Sequence, residues 1–367
     1  MTVTNGRNLA GFAALINDSG KVIAEAFSTD LAAATRPTVY DSDGDVPFDA
    51  PKGSQAYVAS EGLLLKLTDA AWYVLDGSEP APEPIILTGS TSGYITSGNS
   101  SANTIRKFPF AASSSVTQVG LLTISTWQTG GVSSKQDGYS VGGYPGGVAS
   151  TVISKWPFSS DGNATNVGSL TLGRYAPRGA NSETYGYAAS GVAGGAGKNT
   201  IDKWPFAADG NATDVGDLPD TTYYGTSASS EENGYLMGGA TTTAIRKWSF
   251  TSDGNATNVG NITIARYWAA GIFSSEHGYT TGGAGGTNVI DRFPFAADGA
   301  AVDTGDLTAG RYGHVAASAT THGYVSGAYA PAAANTSMVR FAHGSSTTDV
   351  DIGTLSASSR MSAGHQV

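Results

Sequence analysis

From about residue 90 onward, apolar and polar side chains alternate along short runs separated by Gly, Asp, Asn and Ser. Alternation with a period of two places one set of side chains on one face of a strand, and the separating residues are those that turn a chain. The stretch 278–308, GYTTGGAGGTNVIDRFPFAADGAAVDTGDLT, shows the unit. A small-residue strand at Tyr267–Phe273 precedes it, followed by a polar turn at Ser274–His277 and a strand at Gly278–Gly283. A Gly/Ala/Thr loop leads to a third strand at Asn288–Phe295, and a turn at Asp298-Gly299 leads to a last strand ending near Leu307. Asp161-Gly162, Asp209-Gly210 and Asp253-Gly254 occupy the same turn in other copies. Asp-Gly is a hairpin signal because glycine takes positive φ without steric cost. The pattern predicts antiparallel meanders, not helices.

The unit recurs. Gly-Tyr pairs begin at Gly93, Gly138, Gly186, Gly234, Gly278 and Gly323, at intervals of 45, 48, 48, 44 and 45 residues. A fixed period of this length marks an array of one supersecondary unit, and near 50 it is the period of a kelch-type propeller blade. The expected fold is all-β: a six-bladed kelch-like β-propeller. From the basic residue of the third strand (Lys107, Lys155, Lys203, Lys247, Arg292, Arg340) to a glycine (Gly120, Gly168, Gly216, Gly260, Gly305, Gly353) is 13 residues in every copy. From that glycine, expected just before the last strand, to the next Gly-Tyr pair is always 18. All length variation therefore falls between the second and third strands, in a loop that shares one rim with the connections between blades.

Spacing also predicts ring closure. Ser356–Val367 supplies one first strand with no unit after it, while the Gly93 copy lacks a matching first strand upstream. The C-terminal segment is expected to pair with the strand at Gly93 and complete the first blade, removing an open sheet edge. Ile85–Thr88 is the rival for that slot.

Composition narrows the classes. A formal net charge of −10 argues against a clustered basic nucleic-acid footprint, and the absence of cysteine removes disulfide and thiolate chemistry. Charged residues are only 14% of the chain, so much of the surface is Ser, Thr, Asn and Gly. No apolar run approaches the length of a membrane span, so no membrane insertion is expected. Residues 1–30 do not read as a secretory signal.

Three regions are expected: a docking arm (1–40), a small β meander with an acidic Pro-rich linker (41–84), and the propeller (85–367). Asn8–Ile16, Lys21–Phe27 and Leu31–Ala34 read as short helices or an arm that orders on a partner. Asp41, Asp43 and Asp45 flank Gly44, but glycine is misplaced for a calcium loop and no glutamate closes it, so they read as an acidic turn. Gly53–Leu75 fits a three-stranded meander, and Asp76–Pro84 is the linker.

The meander, with its "AYV" and "W-Y" strands, is similar to a small module of phage virion proteins. The phrases IDKWPFAADGNATDVGDL (Ile201–Leu218), KWPFSSDGNATNVG (Lys155–Gly168) and SAGHQV (Ser362–Val367) resemble the kelch-like repeats of structural proteins of marine tailed phages, cyanophages in particular. The likeness covers about three quarters of the chain. It implies a virion-located structural protein: a tail fibre or tail-associated adhesin, docked through its N-terminal region to other virion proteins and presenting the propeller to host-surface glycan. A capsid or tail decoration protein whose propeller touches neighbouring subunits is the alternative, and a glycan-active enzyme a third. A homotrimer follows only by analogy with fibres.

Loops on a fixed scaffold carry recognition. The candidate binding rim comprises Asn99–Thr104, Tyr144–Val152, Val192–Thr200, Ala240–Ala244, Ala284–Val289 and Ala328–Ser337. Its candidate contact residues are Asn99, Asn103, Tyr144, Pro145, Lys198, Asn199, Thr242, Asn288, Tyr329 and Asn335. The once-per-copy aromatics Phe108, Trp156, Trp204, Trp248, Phe293 and Phe341 are expected to pack between blades, and the tyrosines of the Gly-Tyr pairs to pack in the core or at a blade edge. Arg174, Arg266 and Arg311 would resemble the carboxylate-binding triad of sialidases if they faced a channel. Two copies carry Thr126 and Thr222 instead, and no Tyr/Glu nucleophile accompanies them, so they read as structural hydrogen-bond forks. His314, His322, His343 and His365 crowd the last copy without spacing that enforces a metal site. No catalytic motif, cofactor or metal is expected.

Overall fold

The structure is a computed structural model. It describes residues 88–98, 102–111, 115–240, 242–329, 336–344, 347–355 and 358–367, and, further toward the N-terminus, four strands. The chain divides into two compact units, Met1–Pro84 and Ile85–Val367.

In the first unit, β1 (Thr38–Tyr40), β2 (Gln55–Val58), β3 (Leu63–Leu67) and β4 (Trp72–Val74) form one sheet in that order. The last three are the antiparallel meander read from Gly53–Leu75. β1, which pattern reading missed, adds parallel to β2. The expected helices of residues 8–34, the acidic turn at 41–45 and the linker at 76–84 lie outside the described residues.

The second unit is a six-bladed β-propeller of small antiparallel sheets. The innermost strands are Ala363–Gln366, Gly130–Ser133, Arg178–Asn181, Thr226–Ser229, Ala270–Phe273 and Val315–Ser318, and each touches the next around a closed ring. Blade 1 is Ala363–Gln366, Ser92–Thr96, Thr104–Pro109 and Thr117–Leu121, so its inner strand comes from the chain's far end. The expected closure is what forms: Ala363 to Gln366 pair with Thr96 to Gly93. Among the described residues the only helical element is the single 3-10 turn Pro145–Gly147.

The repeated letters have steric causes. The glycine of each Gly-Tyr pair lies beneath the third-strand aromatic of its own blade: a Cβ on Gly138 would stand 2.2 Å from the Trp156 ring, and one on Gly234 2.3 Å from Trp248. The tyrosine beside it, buried, packs on a ring from the next blade. Tyr94–Phe158 (4.8 Å between centroids), Tyr139–Phe206 (5.1 Å), Tyr187–Phe250 (4.7 Å) and Tyr235–Phe295 (5.0 Å) are four such joints. Tyr279–His343 (5.2 Å) and Tyr324–Phe110 (4.6 Å) complete the circuit, a histidine serving where the other copies have phenylalanine. Each offset pair adds roughly 0.5–1.5 kcal/mol beyond the area it buries.

The constant 13-residue spacing also has a cause. The glycine it ends on lies inside the outer strand, at a bulge, not before the strand as spacing alone suggested. There the next blade presses on it: Cβ atoms on Gly120, Gly168 and Gly260 would sit 1.8, 2.0 and 1.9 Å from the carbonyl oxygens of Gly162, Gly210 and Gly299. The turn that supplies this carbonyl is an inter-blade clasp. Its aspartate accepts from the preceding blade's lysine in Lys107–Asp161, Lys155–Asp209, Lys203–Asp253 and Lys247–Asp298. The asparagine that follows in three of these turns caps a backbone N–H of the preceding outer strand (Asn163 to Leu121, Asn211 to Ser169, Asn255 to Asp217; 2.9–3.0 Å). Partly exposed ion pairs contribute under about 1 kcal/mol each; the backbone capping and the close glycine contact fix the geometry.

Candidate functional site

The loops between second and third strands and the connections between blades do share one rim. Tyr144 N–H donates to the Trp127 carbonyl (3.0 Å), Ala284 to Tyr267 (2.8 Å) and Tyr329 to Tyr312 (2.8 Å), tying each loop to a connection. The connections keep one length, and equivalent positions are legible by counting from the outer-strand glycine.

Seven residues after that glycine stand Trp127, Tyr175, Tyr223, Tyr267, Tyr312 and Arg360. Eight after it stand Gln128, Ala176, Tyr224, Trp268, Gly313 and Met361. All six of the latter have left-handed backbone, φ between 51° and 64°, although only one is glycine. A hydrogen-bonded girdle holds them around the axis: Gln128 N–H donates to Met361 O, Met361 to Gly313, Gly313 to Trp268, Trp268 to Tyr224, and Ala176 to Gln128, at 2.6–3.0 Å. Left-handed conformation costs non-glycine residues about 1–2 kcal/mol each, and surrounding structure must hold them there.

The result is a crown of rings around the axial mouth. Trp268 lies nearly parallel to Tyr312 (5.6 Å, 14°) and packs against Tyr224 (5.2 Å), Tyr267 (5.2 Å) and Tyr329 (6.3 Å). Arg360 lies over the Tyr329 ring at 4.9 Å. On the other side of the mouth Tyr144 packs on Tyr175 (4.4 Å) and Trp127 (6.1 Å). Tyr223, Tyr267 and Tyr329 remain 37%, 37% and 42% exposed.

Of the residues expected to bind, Tyr144 and Tyr329 belong to this crown, with Pro145 in the short turn beside Tyr144. Asn103, Thr242 and Asn288 are half-buried braces: Asn103 O accepts from Leu122 N–H, Thr242 Oγ1 from Ala244 N–H, and Asn288 Nδ2 donates to Leu307 O. Lys198 and Asn199 are not loop residues. Val192–Ala193 folds back on Ala196–Gly197, so the third strand runs Ala196–Pro205 and includes both. Two glycines with positive φ, Gly194 and Gly195, turn that hairpin, and the extra pairing converts loop into strand. Asn99 and Asn335 lie outside the described residues. The crown's aromatics in the connections lie outside the segments of variable length, and the constant spacing itself points to them.

The arginines repeated in the connections do not face the channel. Arg174, buried, pairs with the equally buried Asp202 at 3.1 Å and donates to Ala188 O; Arg266 pairs with Asp291; Arg311 donates to Ser337 Oγ. In blade 4 the same slot is inverted, with Thr222 in the connection and Arg246 in the third strand reaching Asp220. Burial lowers the pKa of Arg174, Arg266 and Arg311, nearby carboxylates opposing it. They cross-brace connection to blade. The histidines are dispersed: His365 bridges Thr96 and Val132 O, His314 meets Thr281, His343 meets Ala319 O, and His322 meets Thr321. Burial holds His365 near pKa 4 and His314 near 3, so both are neutral at physiological pH. Among the described residues no three His, Asp or Glu side chains converge as metal ligands.

The axis itself is narrow. Cβ atoms on Gly179 and Gly364 would fall 2.0 and 1.7 Å from neighbouring carbonyl oxygens, so the inner strands require small residues. Small cavities remain along the axis, and two of them, about 20 and 80 Å³, both reach Thr129, Arg178, Ala269, His314 and Ser362 beneath the crown. Among the described residues no Asp or Glu lines either. At the opposite mouth a cavity of about 290 Å³ contains the Lys135–Glu183 ion pair (2.8 Å). No protein-family model and no curated protein matches the chain.

Proposed function

We propose that the propeller is a non-enzymatic attachment module of a tailed-phage particle, and that its loop-bearing rim contacts host-surface glycan. The observation that carries this is the crown: exposed rings on rigid connections around one axis, on the rim where loop length varies. Ring faces suit the apolar faces of sugars, and individually weak contacts gain retention through copy number.

The test is retention of the purified full chain on immobilised host polysaccharide, compared with Tyr329→Ala and Tyr267→Ala variants. Retention that drops for both variants while melting is unchanged is expected. Equal retention of all three proteins, or none by the parent, would remove the reading. Labelling of particles with antibody to the rim separates it from the decoration alternative, in which neighbouring subunits cover that face.

A further inference from the structure

Repetition separates scaffold from speciality. Whatever all six copies share builds the ring; a residue that one copy alone carries at an axial position needs another reason. Arg178 is such a residue. It opens the inner strand of blade 3, where the other blades have Gly130, Thr226, Ala270, Val315 and Ala363. Half-buried, it lines both axial cavities. The buried Arg174, Arg246 and Arg266 each have an aspartate; Arg178 has no ion pair or hydrogen bond among the described residues. Burial of its guanidinium away from water pulls its pKa down only to about 10, so it stays cationic.

The polar atoms around it are equally unengaged. Arg178 Nε, Trp268 Nε1, Thr226 Oγ1 and His314 Nδ1 are buried atoms without a partner, and their residues all line these cavities. Thr226 and His314 are 3% and 5% exposed. His314 Nε2 shares a hydrogen bond with Thr281 Oγ1 at 3.0 Å, and its Nδ1 is left without a partner. Leaving such groups unpaired is costly, and a lone cation among them more so. The recess thus offers a cationic fork, an indole N–H, a hydroxyl and an unpartnered imidazole nitrogen beneath the rings of Tyr224 and Trp268.

We infer that this recess binds the carboxylate of an acidic saccharide, a uronic-acid unit whose ring lies outside on Trp268 and Tyr224. The carboxylate meets the Arg178 fork, which matches its planar geometry. A neighbouring sugar hydroxyl hydrogen-bonds His314 Nδ1. The larger cavity, about 80 Å³, admits a carboxyl group, and neither admits a pyranose ring. The proposal rests on the attachment reading for its source of ligand and deepens it from glycan to acidic glycan.

The experiment is titration of the full chain with sodium glucuronate, methyl glucoside and sodium acetate, followed by the Arg178 Nε–H resonance and by tryptophan emission. Glucuronate should shift both signals, the glucoside and acetate far less. Arg178→Gln should weaken glucuronate at least about tenfold, the loss expected of a charge-assisted pair, and Arg178→Lys should restore part of it. Trp268→Phe should abolish the emission change. An unshifted Arg178 resonance, or Arg178→Gln binding like the parent with unchanged melting, overturns the proposal; acetate binding as strongly as glucuronate overturns its saccharide part. Glucuronate binding without retention on host polysaccharide would instead sink the attachment reading and leave the recess standing.

Discussion

Deleting Ala363–Val367 tests how the ring is held. The segment gives blade 1 its inner strand, and several of its bonds can be counted individually. Val367 O accepts from Ser90, Thr91 and Ser92 N–H, and Val367 N–H donates to Ser92 O, at 2.8–3.1 Å. His365 bonds Val132 O and Thr96 Oγ1, and Gln366 N–H donates to Ser133 Oγ. At a net 0.5–1.5 kcal/mol per bond these contribute roughly 4–10 kcal/mol, before the edge-on packing of His365 on Trp156 at 4.7 Å is considered. That is comparable with the roughly 5–15 kcal/mol that stabilises a whole domain. At roughly 2–4 °C per kcal/mol, melting should fall by about 10 °C or more. Deletion also bares the edge of Ser92–Thr96, so aggregation should accompany it. Calorimetry of the full and shortened chains, with a synthetic peptide of residues 356–367 added back, is the assay. A shift below about 2 °C, or no recovery with peptide, would refute closure by this strand.

Other expectations follow from single contacts. Asp202→Ala strands Arg174 in the interior and removes two bonds to Thr171, so about 3–5 kcal/mol should be lost in denaturant titration, whereas Arg174→Met with Asp202→Leu should recover most of it. Gly168→Ala and Gly210→Ala should part company: the first Cβ meets a carbonyl at 2.0 Å and should cost about 1–3 kcal/mol, the second meets nothing and should be nearly neutral. His365 and His314 are held neutral with pKa values near 4 and 3, below the ordinary 6.5, so the unfolded chain binds more protons in this range. Their contribution is complete above pH 6.5 and declines as pH falls toward those values, by about 1.4 kcal/mol per unit per histidine. Chemical denaturation at stepped pH should show this slope, reduced in His365→Gln; a flat profile would contradict the burial.

Six Gly-Tyr pairs at a near-constant interval, with fixed distances to a basic residue and a glycine, determined blade number, strand order and ring closure. The reason is local: every copy must meet an identical neighbour, so Gly138 beneath Trp156 and Gly168 against Gly210 recur as letters. The packed roles of the third-strand aromatics and of the repeated arginines were legible for the same reason. The parallel strand β1, the hairpin that takes Lys198 and Asn199 into a sheet, and the bulged position of the outer-strand glycine were decided by pairing between distant segments. So was the site. Residues 128, 178, 224, 268 and 314 are far apart in sequence, and only six-fold closure brings their side chains to one mouth. A periodic sequence encodes what each blade must share, while the chemistry of the axis depends on where the copies differ, and that becomes a place only when the ring closes.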